Sequence, residues 1–147
     1  MATTASETIS WLNRLLRGEL SAVETYQQAM SKCAKEACAG DLRHLLEQHR
    51  EAADVLREQL NLRNEPASEG SGPWGSFAQL VTGAAKLFGT ATTFRALKRG
   101  EEHGISEYES ALNDDDLDPE CRELILRTLL PRCRAHAQRL DVLIGEG

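Results

Sequence analysis

The chain is poor in the residues that build sheets: aromatic residues make up 5% of it and runs of β-branched residues are few, which leaves a pleated surface little to pack with. Prolines number four in 147 residues, too few to interrupt long helices often. Basic residues are outnumbered, 17 against 23 acidic ones, for a net charge of −6. The acidic residues are spread along the chain, so no basic stripe exists to neutralise a phosphate backbone, and no nucleic-acid partner is expected. The opening MATTASETIS has neither a basic start nor an apolar run, and no later stretch reaches the unbroken apolar length of a membrane span. No membrane partner is expected, and the expected compartment is the cytoplasm. The four cysteines, Cys33, Cys38, Cys121 and Cys133, form no CxxC pair and no Cys/His zinc spacing. They are expected as free thiols in a reducing compartment.

What the chain does have is Ala, Leu, Glu and Arg in quantity, the residues of helices. An all-α class follows, and the length suits a single domain, 1–147, with a core that needs no staple. Thr4 with Glu7 reads as a capping box, and Leu12, Leu16, Val23 and Met30 recur at helical spacing, predicting a helix over about 6–35. Gly40 and Asp41 read as a stop and an N-cap, after which Leu42, Leu45, Ala52, Leu56 and Leu60 carry a second helix to about 62. The stretch NEPASEGSGPWG, 64–75, is loop-like, and a short apolar helix over about 77–88 follows it. Gly89 breaks that helix, and Thr90 or Thr92 caps a third one running to about 112. Asp118–Pro119 reads as the N-cap and first residue of a fourth helix to about 144, which Pro131 should kink just before His136. Two tight connections and one long one give two antiparallel hairpins, about 6–62 and about 91–145, joined by a crossover over about 63–90.

The most informative feature is an internal repeat. Arg17-Gly18-Glu19 followed by Tyr26 returns as Arg99-Gly100-Glu101 followed by Tyr108, with the Glu-to-Tyr spacing unchanged. His49 followed by Asp54-Val55-Leu56 likewise returns as His136 followed by Asp141-Val142-Leu143. The two elements keep their order in both halves, as duplication of one hairpin requires.

Leu12, Leu16, Glu19, Val23, Tyr26 and Met30 alternate steps of four and three, so Glu19 faces the core. The same counting turns Glu101, His49 and His136 inward, one ionisable group from each helix. A carboxylate in an apolar interior must be hydrogen-bonded, paired with a cation or bound to metal. Two readings follow: a metal ion held by Glu19, His49, Glu101 and His136, or a metal-free polar core of Glu-His pairs hydrogen-bonded to Tyr26 and Tyr108. The midpoint of Glu101 and His136 falls on the turn at Asp118, so these two should lie level. The midpoint of Glu19 and His49 falls near Ala34, ahead of the Gly40–Asp41 signal. Either the first helix ends early, around Cys33, or Glu24 replaces Glu19 beside His49.

These motifs resemble the ferritin-like superfamily, and most closely the bacterial family called domain of unknown function 2383, over nearly the whole chain. In rubrerythrin-like members a ligand Glu begins a Glu-x6-Tyr pattern on helices 1 and 3, matching Glu19 with Tyr26 and Glu101 with Tyr108. Helices 2 and 4 of those proteins carry Glu-x-x-His, whose Glu bridges two irons. The resemblance implies a ferritin-like four-helix bundle and a stress-associated role. This chain keeps both histidines but has Leu46 and Cys133 at the bridging positions. The carboxylate-bridged metal pair that oxygen chemistry or iron oxidation needs is therefore incomplete. Glu47 and Glu102 stand beside inward positions but point about a quarter-turn away.

Two functions remain from the sequence. One is a metal-binding bundle for a single transition-metal ion, iron, zinc or manganese before copper, with Cys133 either an added soft donor, which would favour zinc or copper over iron, or a small buried core residue. The other is a non-catalytic bundle, a homo-oligomer acting through its surface, with no metal and with the inward polar groups fixing helix register. No G-x-S-x-G and no phosphate-binding glycine loop occurs, so no catalytic residue is assigned. His44 and His103 fall off the inward stripes and should be solvated; Trp11 and Trp74 read as packing or interface residues.

Overall fold

The structure, a computed structural model, describes residues 4–33, 39–67 and 90–146. Among them there are helices and no strand: α1 (Thr4–Cys33), α2 (Ala39–Leu62), α3 (Thr90–Leu112), α4 (Pro119–Leu124) and α5 (Leu130–Glu146), the last two joined without a break by a π-helical turn, Ile125–Leu129. The all-α bundle of two hairpins is thus the fold. No described helix is long and apolar enough to cross a membrane. The short helix expected over 77–88, Trp74, and the side chains of Cys33 and Cys38 lie outside the described residues.

α1 is described as far as Cys33, and the question left by the Gly40–Asp41 signal is answered by His49, which lies against Glu19. Gly40 and Asp41 belong to the first turn of α2, which has already begun at Ala39. α2 closes on a left-handed residue, Asn64, at φ 58°. Asn64 N–H donates to the Asn61 carbonyl and Glu65 N–H to that of Leu60, both at 3.0 Å, the paired bonds that end a helix when its capping residue turns left-handed. The start of α4 follows the sequence signal: the Asp118 carboxylate accepts from Glu120 N–H at 2.9 Å, with Pro119 as the first helical residue.

Pairings across the bundle give the topology. Trp11 donates to Asp114 and Arg14 pairs with Glu107, so α1 and α3 run antiparallel. Arg63 pairs with Asp118 and Arg139 with Asp41, so α2 opposes the α4–α5 rod. Leu62 and Thr90 therefore lie at opposite ends of the bundle. An up-down-up-down bundle would place them at the same end.

Pro131 does not simply kink the fourth rod. Its missing N–H and its ring conflict with the preceding helical turn, and the π turn that precedes it absorbs the conflict: Leu130 N–H reaches back five residues to the Ile125 carbonyl. Pro131 then sits in the first turn of α5, where no N–H is needed. The π turn has a second effect. Cys121, Ile125, Leu129 and Cys133 recur every four residues and are all buried, although three such steps drift about 120° round a regular α-helix. The extra residue in the π turn takes up that drift and brings Cys133 and His136 to the inside.

The core has three layers along its axis. One apolar cluster contains Leu12, Leu16, Leu56, Leu60, Ile125 and Leu129; the other contains Leu42, Leu45, Leu46, Phe94, Leu97 and Leu140. Between them lie Glu19, His49, Glu101 and His136, each 3–5% exposed. Each buried leucine contributes about 1.5–3 kcal/mol, which is what allows the bundle to carry a charged layer in its middle.

Candidate metal centre

Helix periodicity delivers one group from each rod to the polar layer. His49 is its hub: Nδ1 lies 2.6 Å from Glu19 Oε2 and Nε2 lies 2.7 Å from Glu101 Oε2. Each ring nitrogen faces a carboxylate oxygen, so both act as donors and the ring is an imidazolium. Burial alone would pull the His49 pKa down, but Glu101 and Glu19 outweigh it and raise it from 6.5 to about 10. The Glu101 carboxyl, which burial alone would raise, is held well below its usual range by His49 and His136.

The tyrosines bind crosswise. Tyr26 of α1 donates to Glu101 Oε2 of α3 at 2.6 Å, and Tyr108 of α3 donates to Glu19 Oε1 of α1 at 2.7 Å. Each repeat's tyrosine thus supports the other repeat's glutamate. Burial first, and then the neighbouring carboxylates, push both phenols well above 10.0, so they remain hydrogen-bond donors.

His136 is placed differently. Its Nε2 lies 2.6 Å from Gln48 Oε1 and therefore carries the proton. Its Nδ1 is buried with no hydrogen-bond partner, 3.4 Å from Glu101 Oε1. Glu101 and His136 lie level, as their midpoint predicts, at 3.4 Å, and Glu19 lies level with His49 at 2.6 Å. Gln48 holds the ring's other nitrogen, Nε2. Gln48 was missed in the sequence, although it stands three residues after Leu45 and four before Ala52, a polar residue on an apolar stripe.

Donor atoms of His49, Glu101 and His136 lie within 4.8 Å of one another, the arrangement of a candidate ion site. Glu19 joins them through His49. Cys133 is buried on the same side; its thiol is pushed up, first by burial and then by Glu19 and Glu101. Cys121 and Cys133 are both free. Leu46 packs in the second apolar cluster. Glu24 is half-buried and makes no part of the layer, while Glu47, Glu102, His44 and His103 are exposed.

Residues 7–114 match the family model described as domain of unknown function, DUF2383. The chain belongs to the DUF2383 family. The match takes in Glu19, Tyr26, His49, Glu101 and Tyr108 and stops before Cys133 and His136. No curated protein and no solved structure matches this DUF2383 chain.

Proposed function

We propose that the polar layer is a binding centre for one divalent transition-metal ion, iron, zinc or manganese, held by Glu19, His49, Glu101 and His136. The observation that carries this reading is the His136 Nδ1 atom. Nδ1 lies 3.4 Å from Glu101 Oε1, buried and without a hydrogen-bond partner, while Nε2 is held by Gln48. A buried nitrogen left unpaired beside a carboxylate is unfavourable, and a cation between the two gives both a partner. Charge balance agrees. Two carboxylates and two neutral imidazoles compensate one divalent ion, and the proton on His49 is the one given up.

Such an ion would supply Lewis acidity at a buried site. The chain's own residues hold the carboxylates through Tyr26 and Tyr108, fix the His136 tautomer through Gln48, and offer Cys133 as a soft neighbour. Leu46 and Cys133 stand where a second ion would need carboxylates, so the reading is mononuclear.

Metal analysis of protein purified without chelator or affinity-tag metal should find about one equivalent per chain, and His136→Ala should lower the affinity. Less than about a tenth of an equivalent would overturn the reading. Co(II) loading adds a test of Cys133, since thiolate ligation produces a charge-transfer band that Cys133→Ser removes. A second reading, a metal-free polar layer that fixes helix register, is favoured by the two short His49 contacts, 2.6 and 2.7 Å. It predicts no metal and a native state whose stability depends on His49 staying protonated.

A further inference from the structure

A cavity lies beside the polar layer along the seam between α1 and α3, where small residues replace large ones. Gly18, Ser21 and Ala22 of α1 face Gly100 and Gly104 of α3 across a cavity of about 50 Å³, several times the room one water requires. Its inner wall is the layer itself: Glu19, His49, Glu101 and Cys133 all line it. At its outer end Arg14 Nε lies 2.9 Å from Glu107 Oε2 and Nη2 lies 3.0 Å from Glu107 Oε1. The two partners differ in exposure. The Arg14 side chain is 53% exposed, whereas that of Glu107 is 13% exposed. His103 Nε2 approaches Glu107 Oε1 from the outside at 3.3 Å.

We propose that this seam is the access path by which a divalent cation reaches the Glu/His layer, with Glu107 as the carboxylate that first receives the ion and Arg14 as the counter-charge that swings aside. The proposal rests on the metal-centre reading above. Beyond the layer's own groups, Arg14 and Glu107 are the charged side chains among the described residues that line the cavity. Glu107 is therefore the carboxylate an incoming cation meets between the surface and Glu101. A half-exposed guanidinium is held weakly, so its displacement does not block the path.

The test is stopped-flow uptake of Co(II) by the metal-free full chain, with the equilibrium Kd measured separately. Glu107→Gln should slow uptake about tenfold, and Arg14→Ala should speed it by a similar factor, since a like charge at the mouth is removed. Both should leave Kd unchanged, because a path alters arrival and escape alike. Gly104→Leu should also slow uptake; a Cβ at Gly104 meets only Cys133 Sγ, at 3.9 Å, so the longer side chain extends into open space. Should Gly104→Leu not fold, the two substitutions at the mouth still decide. Wild type that binds Co(II) at a rate unchanged by Glu107→Gln and Arg14→Ala overturns the path while leaving the centre standing. Wild type that binds no Co(II) overturns both.

Discussion

The two hairpins carry the same Glu-x6-Tyr and His-x4-Asp-Val-Leu elements, yet their histidines live differently. His49 of the first hairpin lies between two carboxylates at 2.6 and 2.7 Å; His136 of the second is bonded to Gln48 and leaves one nitrogen unpartnered. The residue before each histidine accounts for the difference. It is Gln48 in the first hairpin and Ala135 in the second. Gln48 reaches across to His136, while the Ala135 methyl can capture nothing, so His49 is free to take both glutamates. A duplicated frame supplies pseudosymmetric positions, and one amide breaks the symmetry of what fills them.

The sharpest way to break the comparison is to remove each histidine in turn from the metal-free protein. His49→Leu leaves two buried carboxylates without their cation and should cost about 3–5 kcal/mol in urea unfolding. His136→Leu removes a group that approaches one carboxylate at 3.4 Å without a hydrogen bond and should cost less than half as much. Equal costs would show that the two histidines share the load. Adding Glu19→Leu to His49→Leu should recover part of the first loss, since the pair removed together leaves less uncompensated charge.

Titration sharpens the same contrast. The His49 pKa is raised on folding, from 6.5 to about 10, so its stabilisation is complete below 6.5 and is lost as pH rises toward 10. Glu101 is shifted down from 4.5, so its contribution is present above 4.5 and is lost as pH falls. The layer should therefore stabilise the metal-free protein most between these limits and lose on the order of a few kcal/mol by pH 10. Urea midpoints measured against pH should show that loss in wild type, and the alkaline loss should be much smaller in His49→Leu. A parallel decline in both proteins would place the titrating group elsewhere.

A smaller effect belongs to Gln48. Gln48→Leu strands the buried His136 Nε2–H and should cost about 1–3 kcal/mol. It should also release the ring to turn toward Glu101, visible as a changed His136 imidazole shift in NMR. An unchanged shift would mean that packing, not the amide, sets the ring.

The smallest effect is at Pro131. A proline in a helix interior costs about 3 kcal/mol, but one just after a π turn gives up no bond, so Pro131→Ala should change stability by less than about 1 kcal/mol. A gain near 3 kcal/mol would show that the π turn does not absorb the proline.

Much of this is legible in the sequence itself. Period 3.6 put Glu19, His49, Glu101 and His136 inside, and Asp118–Pro119 marked a helix start that the structure keeps. The long connection between the two halves announced a crossover, and Leu62 and Thr90 do lie at opposite ends. The π turn was not read, although four buried residues at successive steps of four, Cys121 to Cys133, could have announced it.

By itself the sequence determined which residues face inward, because a helical repeat sets the angle of a side chain about its own axis and needs no neighbour to do so. Only the tertiary structure decided whom each inward group meets. The crosswise bonds of Tyr26 to Glu101 and Tyr108 to Glu19, the capture of His136 by Gln48, and the closure of the α1–α3 seam by Arg14 and Glu107 all join residues more than 70 positions apart. Such contacts depend on the distance and rotation between packed helices. Those are set jointly by every side chain in the two apolar clusters, and no single stretch of sequence contains them.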